Sequence, residues 1–397
     1  NFGKVSEGGF MRWISWLMVA LVWVGLSGCG GKKTQTPMLD GSVDTSEDTH
    51  QADVDEDSGL SNAFVVEQLS LGARHSCAVS TTGKVRCWGS GELGRLGLGN
   101  TDNVGDVNLP YASDTISLNA EAVSIAAGGA HTCALVEGPK VQCWGNNASG
   151  QLARHDTEAI GDDEVPLNQG FADILDISSR VVTGTDHTCV LRSDGRVLCW
   201  GRGAEGQLGL GNTDTLGDDE DDELFHEVAL MEIVDDVSAG HQHTCAVLQT
   251  GIVSCWGRGT EGQLGYGNTD NLADDEPFVG MANETLRGLV SRVTAGYSHT
   301  CVLFLDGEVS CWGSNGHGEL GYGNTDAIGD DEDLCLPIDP ELCAPPEEVD
   351  AGAEPCCAPR LVSLGEMATQ VVAGREFTCA LLESGDVRCW GNGADGR

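Results

Sequence analysis

The chain has 397 residues, 56 of them glycine, few aromatic side chains and a formal net charge of −41. That charge argues against nucleic acid and anionic membrane surfaces as partners, because both require basic patches. Basic proteins, cations and solvent remain.

In chain order, the first segment reads as a leader. Met11-Arg12 is followed by an apolar run from Trp13 to Gly25 and then by Leu26-Ser27-Gly28-Cys29. A charged start, a short apolar core and small residues before a cut mark a secretory signal. The run is too short to span a bilayer comfortably. Leu-Ser-Gly-Cys resembles the bacterial lipobox, which implies cleavage before Cys29 and lipidation of that residue. By the same resemblance, Gly30 rather than Asp after the Cys implies the outer membrane. Residues 1–29 are thus expected to be a signal peptide with a lipobox. The chain is expected to be an exported bacterial lipoprotein of the outer membrane or cell surface, touching membrane by its lipid anchor only. Residues 30–62 are rich in Asp, Glu, Ser, Thr and Gly. Such a stretch buries too little apolar surface to offset its ordering entropy and reads as a disordered acidic linker.

Residues 63–397 are repetitive. The phrase His-Thr-Cys-Ala-Leu … Gly-x-Val-x-Cys-Trp-Gly recurs six times, with its His at His75, His131, His187, His243 and His299, a spacing of 56 residues. The sixth copy, Phe377-Thr378-Cys379, follows after 78 residues, so 22 residues are inserted before it. A fixed period of this size signals a solenoid or propeller. It also means that no copy is expected to be a unique active site.

The 17 Cys sort without remainder. Cys29 belongs to the leader, and Cys335, Cys343, Cys356 and Cys357 to the insertion. The other twelve are pairs ten residues apart: Cys77 with Cys87, Cys133 with Cys143, Cys189 with Cys199, Cys245 with Cys255, Cys301 with Cys311, and Cys379 with Cys389. With His75–Ser80 and Lys84–Gly89 as strands around a Thr81-Thr82-Gly83 loop, Cys77 faces Cys87. Opposed residues of a non-hydrogen-bonded pair bring their Cβ atoms to about 4.5 Å, near the ~3.8 Å of a disulfide. Gly at the third loop position suits a left-handed turn residue. The second copy has Glu137-Gly138-Pro139 there, so its turn must differ. Zinc would need Cys-x-x-Cys spacing and a second pair nearby. Secretion with even pairing predicts a disulfide in each hairpin.

The hairpin strands are apolar or small on both faces, so both faces are covered. Radially stacked sheets, each packed between two others, satisfy that requirement. Trp88, Trp144, Trp200, Trp256, Trp312 and Trp390 are expected to pack between blades. The segments Gly240-His241-Gln242-His243-Thr244-Cys245-Ala246-Val247, Gly251-Ile252-Val253-Ser254-Cys255-Trp256-Gly257 and Gly262-Gln263-Leu264-Gly265 resemble the repeat of the regulator of chromosome condensation family. The resemblance covers residues 72–397 and implies an all-β, seven-bladed propeller that closes by sharing strands between its ends. Six repeats are visible, and the last stops at Gly396-Arg397, before the Gln-Leu-Gly of its pattern. The paired Cys are additions to the family pattern. Phe377 stands for the repeated His, Ala153 for a Gly, and Arg95 and Glu319 for the Gln.

Little in the repeats invites chemistry. Repetition at one blade position assigns the five His to packing and hydrogen bonding between blades. No Ser/His/Asp set or carboxylate pair stands apart from the repeat. Acid collects after Gly-x-Gly-Asn-Thr-Asp: Asn212, Asp214, Asp218, Asp219 and Glu220, then Asn324, Asp326, Asp330 and Asp331. Related loops carry Asp274, Asp275 and Glu276, and Asp162-Asp163-Glu164. Calcium takes several carboxylate and carbonyl oxygens, so these are its candidate ligands, although a charge run is more often a solvated face. The insertion 326–360 reads as a loop stapled by Cys335 and Cys343 pairing with Cys356 and Cys357. The expected function is a non-catalytic, envelope-anchored module, monomeric, that binds a protein or surface glycan through its loops. The alternatives are guanine-nucleotide exchange, implied by the family resemblance but at odds with export, a secreted enzyme inhibitor, and a carbohydrate-active enzyme.

Overall fold

The computed structural model describes residues 64–106, 114–172, 174, 178–218, 227–278, 280, 286, 289–331, 334–337 and 357–394. Cys29 and the linker lie outside that set. Six three-stranded antiparallel sheets follow one another along the chain. The first two blades are β1 (Val66–Leu71), β2 (His75–Ser80) and β3 (Val85–Gly89), then β4 (Ala122–Ala127), β5 (His131–Val136) and β6 (Lys140–Gly145). The next two are β7 (Ser178–Thr183), β8 (His187–Arg192) and β9 (Val197–Gly201), then β10 (Val234–Ala239), β11 (His243–Leu248) and β12 (Val253–Gly257). The fifth holds β13 (Val290–Ala295), β14 (His299–Phe304) and β15 (Val309–Gly313). After β16 (Cys335–Pro337) and β17 (Cys357–Pro359) comes the sixth, β18 (Ala368–Ala373), β19 (Phe377–Leu382) and β20 (Val387–Gly391). First strands of successive blades lie against one another. They form the inner wall of a propeller, with the third strands outside.

A fourth strand is reduced to single bridges on the third. Gly89, Gly145, Gly201, Gly257 and Gly313 bridge Val104, Ile160, Leu216, Leu272 and Ile328. Lower down, the N–H groups of Ile116, Ala172, Val228 and Val362 donate to the carbonyls of Val85, Val141, Val197 and Val309. Ile328 and Val362 both bond the third strand of blade five, at either end of the insertion. Strands β16 and β17 pair at its base. The side chains of Cys335 and Cys357, and all of Cys343 and Cys356, lie outside the described residues.

Each cysteine on a second strand sits in register with the cysteine on the third strand of its own blade. Disulfides join Cys77 to Cys87, Cys133 to Cys143 and Cys189 to Cys199, each with a Cα–Cα distance of 4.1 Å. Cys245 to Cys255 and Cys301 to Cys311 repeat that distance, and Cys379 to Cys389 gives 4.0 Å. The ten-residue spacing predicts all six. The divergent second turn does differ. Val136 and Lys140 add one pair to the ladder, and the positive φ of 85° falls on Gly138, the middle turn residue.

Alternation along the hairpin aims His and Cys at the following blade and Thr and Trp at the preceding one. His75 Nε2 lies 2.8 Å from Thr132 Oγ1. The Thr132 hydroxyl donates to the Arg95 carbonyl at 3.0 Å, and Trp144 Nε1–H donates to the same oxygen at 3.1 Å. The pattern recurs with His131, Thr188, Trp200 and the Gln151 carbonyl, and with His187, Thr244, Trp256 and Gln207. His243, Thr300, Trp312 and Gln263 form the fourth set, and His299, Thr378, Trp390 and Glu319 the fifth. Each Thr commits its one proton to the carbonyl, so the His must donate from Nε2. That fixes the tautomer. The histidines are structural, as their repetition implies.

The Gln position is read through its backbone. Gln151, Gln207 and Gln263 turn their side-chain oxygens onto the N–H two residues earlier. Glu319 does the same at 2.7 Å, so an acid replaces the amide without loss. Arg95 has no acceptor and instead donates Nε–H to the Glu92 carbonyl at 2.6 Å. Its blade alone carries a 3-10 turn there among the described residues, with Leu93 at φ 61°.

Among the described residues, the two end blades each have an open side. Val66, Leu69 and Leu71 of the first are exposed, as are Val372 and Val387 of the sixth. Phe377 and Ser76, which break the His–Thr phrase, stand on those open sides.

Burial drives His75, His131, His187 and His243 down to about 3 and His299 to about 4. A depressed folded pKa contributes stability above the unfolded value of about 6.5 that is lost as pH falls toward the folded one. Each His therefore adds a slope of about 1.4 kcal/mol per pH unit below ~6.5. His243→Phe keeps the ring against Gly240, as Phe377 lies against Gly374. It should cost about 1–2 kcal/mol at pH 7 for the lost hydrogen bond, and denaturant melts between pH 6.5 and 5 should lose about one proton of slope. An unchanged slope would contradict the assignment.

Candidate functional site

At one end of every blade the first strand turns into the second beside the end of the third. Backbone bonds fix this turn from two sides. The N–H after each Cys-Trp-Gly donates to the carbonyl before the His: Arg202 to Asp186, Arg258 to Gln242, and Asn392 to Glu376, at 2.8–2.9 Å. The N–H of His241 reaches the Gly296 carbonyl of the next blade, and that of Tyr297 reaches Gly374, at 3.1 and 3.2 Å. Side chains projecting from these positions are therefore held on a rigid frame.

The frame is constant and its projecting residues are not. Around the axis the second residue before the His reads Ala73, Gly129, Thr185, His241, Tyr297 and Arg375. The residue after Cys-Trp-Gly reads Ser90, Asn146, Arg202, Arg258, Ser314 and Asn392. Blades three to six thus gather a cationic and aromatic cluster. The His241 and Tyr297 rings stack with centroids 3.8 Å apart and 19° between planes. The Arg375 guanidinium lies 5.2 Å from the Tyr297 centroid, a cation–π distance. Arg258 Nη1 donates to Gln242 Oε1 at 3.0 Å, and Arg202 Nε is buried without a hydrogen-bond partner. Burial, then Arg258, Arg202 and Arg375, lower His241 to about 4. The stacked imidazole is neutral at physiological pH. Asp186 is raised by burial and opposed by Arg202.

Facing the axis nearer the other end is a second ring, Gln68, Ser124, Arg180, Asp236, Arg292 and Gln370, each just after a register shift in its first strand. Asp236 is 1% exposed. It pairs with Arg180 and with Arg292 at 3.2 Å, and accepts the Val293 N–H at 3.0 Å. Gln68 makes the equivalent tie between blades one and two, bonding both the N–H and the carbonyl of Ile125. This ring joins blades.

The acidic loops follow the outer bridges and seat against the preceding blade. A Cβ on Gly94, Gly150, Gly206 or Gly262 would come within 2.5–2.7 Å of the backbone N of Asp162, Asp218, Asp274 or Asp330. Among the described residues, two triplets bring carboxylate oxygens within 4.8 Å of one another, Asp162-Asp163-Glu164 and Asp274-Asp275-Glu276. Asp326, Asp330 and Asp331 form no such group there. Asn212 caps its own turn by accepting the Asp214 N–H at 3.1 Å, and Asn324 Nδ2 donates to Asp326 Oδ2 at 3.2 Å. Asp219 and Glu220 lie outside the described residues. Glu164 and Glu276 accept the N–H groups of Gly161 and Ala273 at 3.3 and 2.9 Å, so part of each triplet serves its own loop.

Burial, then Asp163, hold Glu164 above the usual carboxylate range. A raised folded pKa favours the protonated folded state, so this group adds stability as pH falls and opposes folding when ionised. Glu164→Gln should therefore melt no lower than the native chain at pH 7, and the gap should close near pH 4. Added calcium should raise the native melting temperature and leave the variant unmoved if the triplet holds the cation. Equal response of both chains would remove calcium from this loop.

The aromatic and cationic cluster was missed by reading motifs. Its signal was available at the two positions that vary inside a fixed 56-residue frame. Among the described residues no helix is long and apolar enough to cross a membrane.

An RCC1-like domain model matches residues 25–357, and a regulator of chromosome condensation (RCC1) repeat model matches residues 368–397. The ultraviolet-B receptor UVR8 of Arabidopsis thaliana is 30% identical over 335 residues, 84% of this chain and 66% of the receptor. The chain thus spans just under two thirds of that relative's length. The crystal structure of human WBSCR16 superimposes with a TM-score of 0.61 at 21% identity, over 82% of this chain and 77% of that one. Prp20p of Saccharomyces cerevisiae, whose structure was reported with its binding to Gsp1p and histones, gives 0.58 at 19% identity over 83% and 72%. These two likenesses show the fold. With six sheets of one register, one junction and one repeat pattern, the chain belongs to the regulator of chromosome condensation (RCC1) repeat family.

Proposed function

We propose that this chain is an exported, lipid-anchored, non-catalytic propeller that recognises a protein partner through the turn face of blades three to six. The observation that carries the reading is the change from Ala73 and Gly129 to His241, Tyr297 and Arg375 at one position of a rigid frame. Binding residues concentrate on turns and loops held by a scaffold. Prp20p, which shares the fold, has described protein partners.

Export rests on two independent features. Leu26-Ser27-Gly28-Cys29 supplies a leader and an anchor. Six bridged hairpins belong to an oxidising compartment. Guanine-nucleotide exchange would require a cytosolic or nuclear partner and fits neither. The buried His are committed to junctions, which leaves them unsuited to acid–base work at neutral pH.

Cross-linking on intact cells of the source, compared between the native chain and a His241→Ala/Tyr297→Ala variant, tests the face. The variant should lose the partner that the native chain captures while its melting temperature stays within a few degrees. An identical captured set would contradict the assignment. In Cys29→Ala, metabolic labelling with palmitate should disappear.

A further inference from the structure

The chemistry of the partner follows from the cluster itself, on the reading that the turn face is the binding face. We infer that the patch around Tyr297 receives an acidic peptide segment, with Arg202, Arg258 and Arg375 engaging its carboxylates and the Tyr297 ring supporting its chain.

The chain holds 21 basic residues against 62 acidic ones, yet three arginines project from neighbouring frame positions. Their neutralisers are one carboxylate each, Asp186 beside Arg202 and two loosely paired glutamates. Arg258 has a loose 3.8 Å pairing with half-exposed Glu261, and Arg375 has a 3.8 Å pairing with Glu376. Asn392 Nδ2 already donates to Glu376 Oε2 at 2.7 Å. Partly exposed pairs of this kind contribute little, so the guanidinium groups keep donors to offer. Arg202 is partly exposed, and its buried Nε has no hydrogen-bond partner. A guanidinium meets a carboxylate through two parallel N–H bonds and matches it in geometry as well as charge.

The aromatic part sets the shape. Tyr297 is 37% exposed, stacked below by neutral His241 and flanked by Arg375. A supported ring that is still more than a third exposed gives contact area at low entropic cost. At physiological ionic strength the Debye length is about 8 Å. Carboxylates in contact with the arginines are therefore governed by the patch more than by the net charge of the chain.

The probe is a fluorescein-labelled, N-acetylated peptide of alternating Glu and Gly, titrated near 150 mM salt and read by anisotropy, with a Lys-Gly peptide as counterpart. The native chain should bind the Glu peptide in preference. Arg375→Gln should weaken binding about tenfold, and Arg202→Gln/Arg258→Gln/Arg375→Gln should abolish it. Arg196→Gln, on a hairpin at the opposite end of blade three, should bind as the native chain does. If the triple variant fails to fold, Arg375→Gln decides, because that side chain is 61% exposed. Preference for the Lys peptide, or equal Glu-peptide binding by native and Arg375→Gln chains, would overturn the inference. If His241→Ala/Tyr297→Ala nevertheless loses the captured partner, the binding face stands and only the acidic chemistry falls. If that variant keeps the partner, the face itself is wrong.

Discussion

The structure depends on one carbonyl oxygen per junction. Presented by the loop of one blade, it accepts a threonine hydroxyl and a tryptophan N–H from the next, and the threonine then receives the imidazole N–H of the first blade. Both lone pairs of the oxygen are used and the threonine proton is committed, so every polar group on that side of the ring is satisfied without water. The other ring nitrogen is buried bare in the first four of these histidines. That is tolerable only while the imidazole stays neutral, which is why burial and packing depress its pKa.

Rigidity at the junction is what makes variation useful elsewhere. The turn before each histidine is bonded both to its own third strand and to the following blade, so a residue placed there inherits a fixed direction. Small residues occupy it in blades one and two, and His241, Tyr297 and Arg375 in blades four to six. The hairpin disulfides add a local constraint, closing short loops worth roughly 2–3 kcal/mol each at most. They reinforce a register that the strand pairing already sets.

Much of this was legible in the sequence. The 56-residue period, the ten-residue cysteine spacing and the tryptophans determined strand register and blade packing, because each is a local or strictly periodic constraint. The pairs Cys133 with Cys143, Cys189 with Cys199, Cys301 with Cys311 and Cys379 with Cys389 follow from the same count that opposes Cys77 and Cys87. The odd second turn was readable from Gly138-Pro139. The double use of the carbonyl at Arg95, Gln151, Gln207, Gln263 and Glu319 was not, because the sequence points to the side chain while the backbone does the bonding. Nor was the Asp236 bridge between Arg180 and Arg292, whose partners lie 56 residues away on either side. The His241–Tyr297–Arg375 cluster joins residues 56 and 78 apart. It emerges only when blades are laid side by side. The acidic runs drew attention by their charge, yet their glutamates are partly committed to their own loops.

The central claim is that neutral, Nε2-protonated histidines lock the blades together. Nitrogen-15 NMR of the histidine side chains, followed from pH 7.5 to 4.5, addresses it directly. Five imidazoles should show the Nε2–H tautomer and stay neutral down to about pH 5, with His299 alone starting to protonate at the lower limit. Titration of those five near pH 6.5, or an Nδ1–H tautomer among them, would contradict the account.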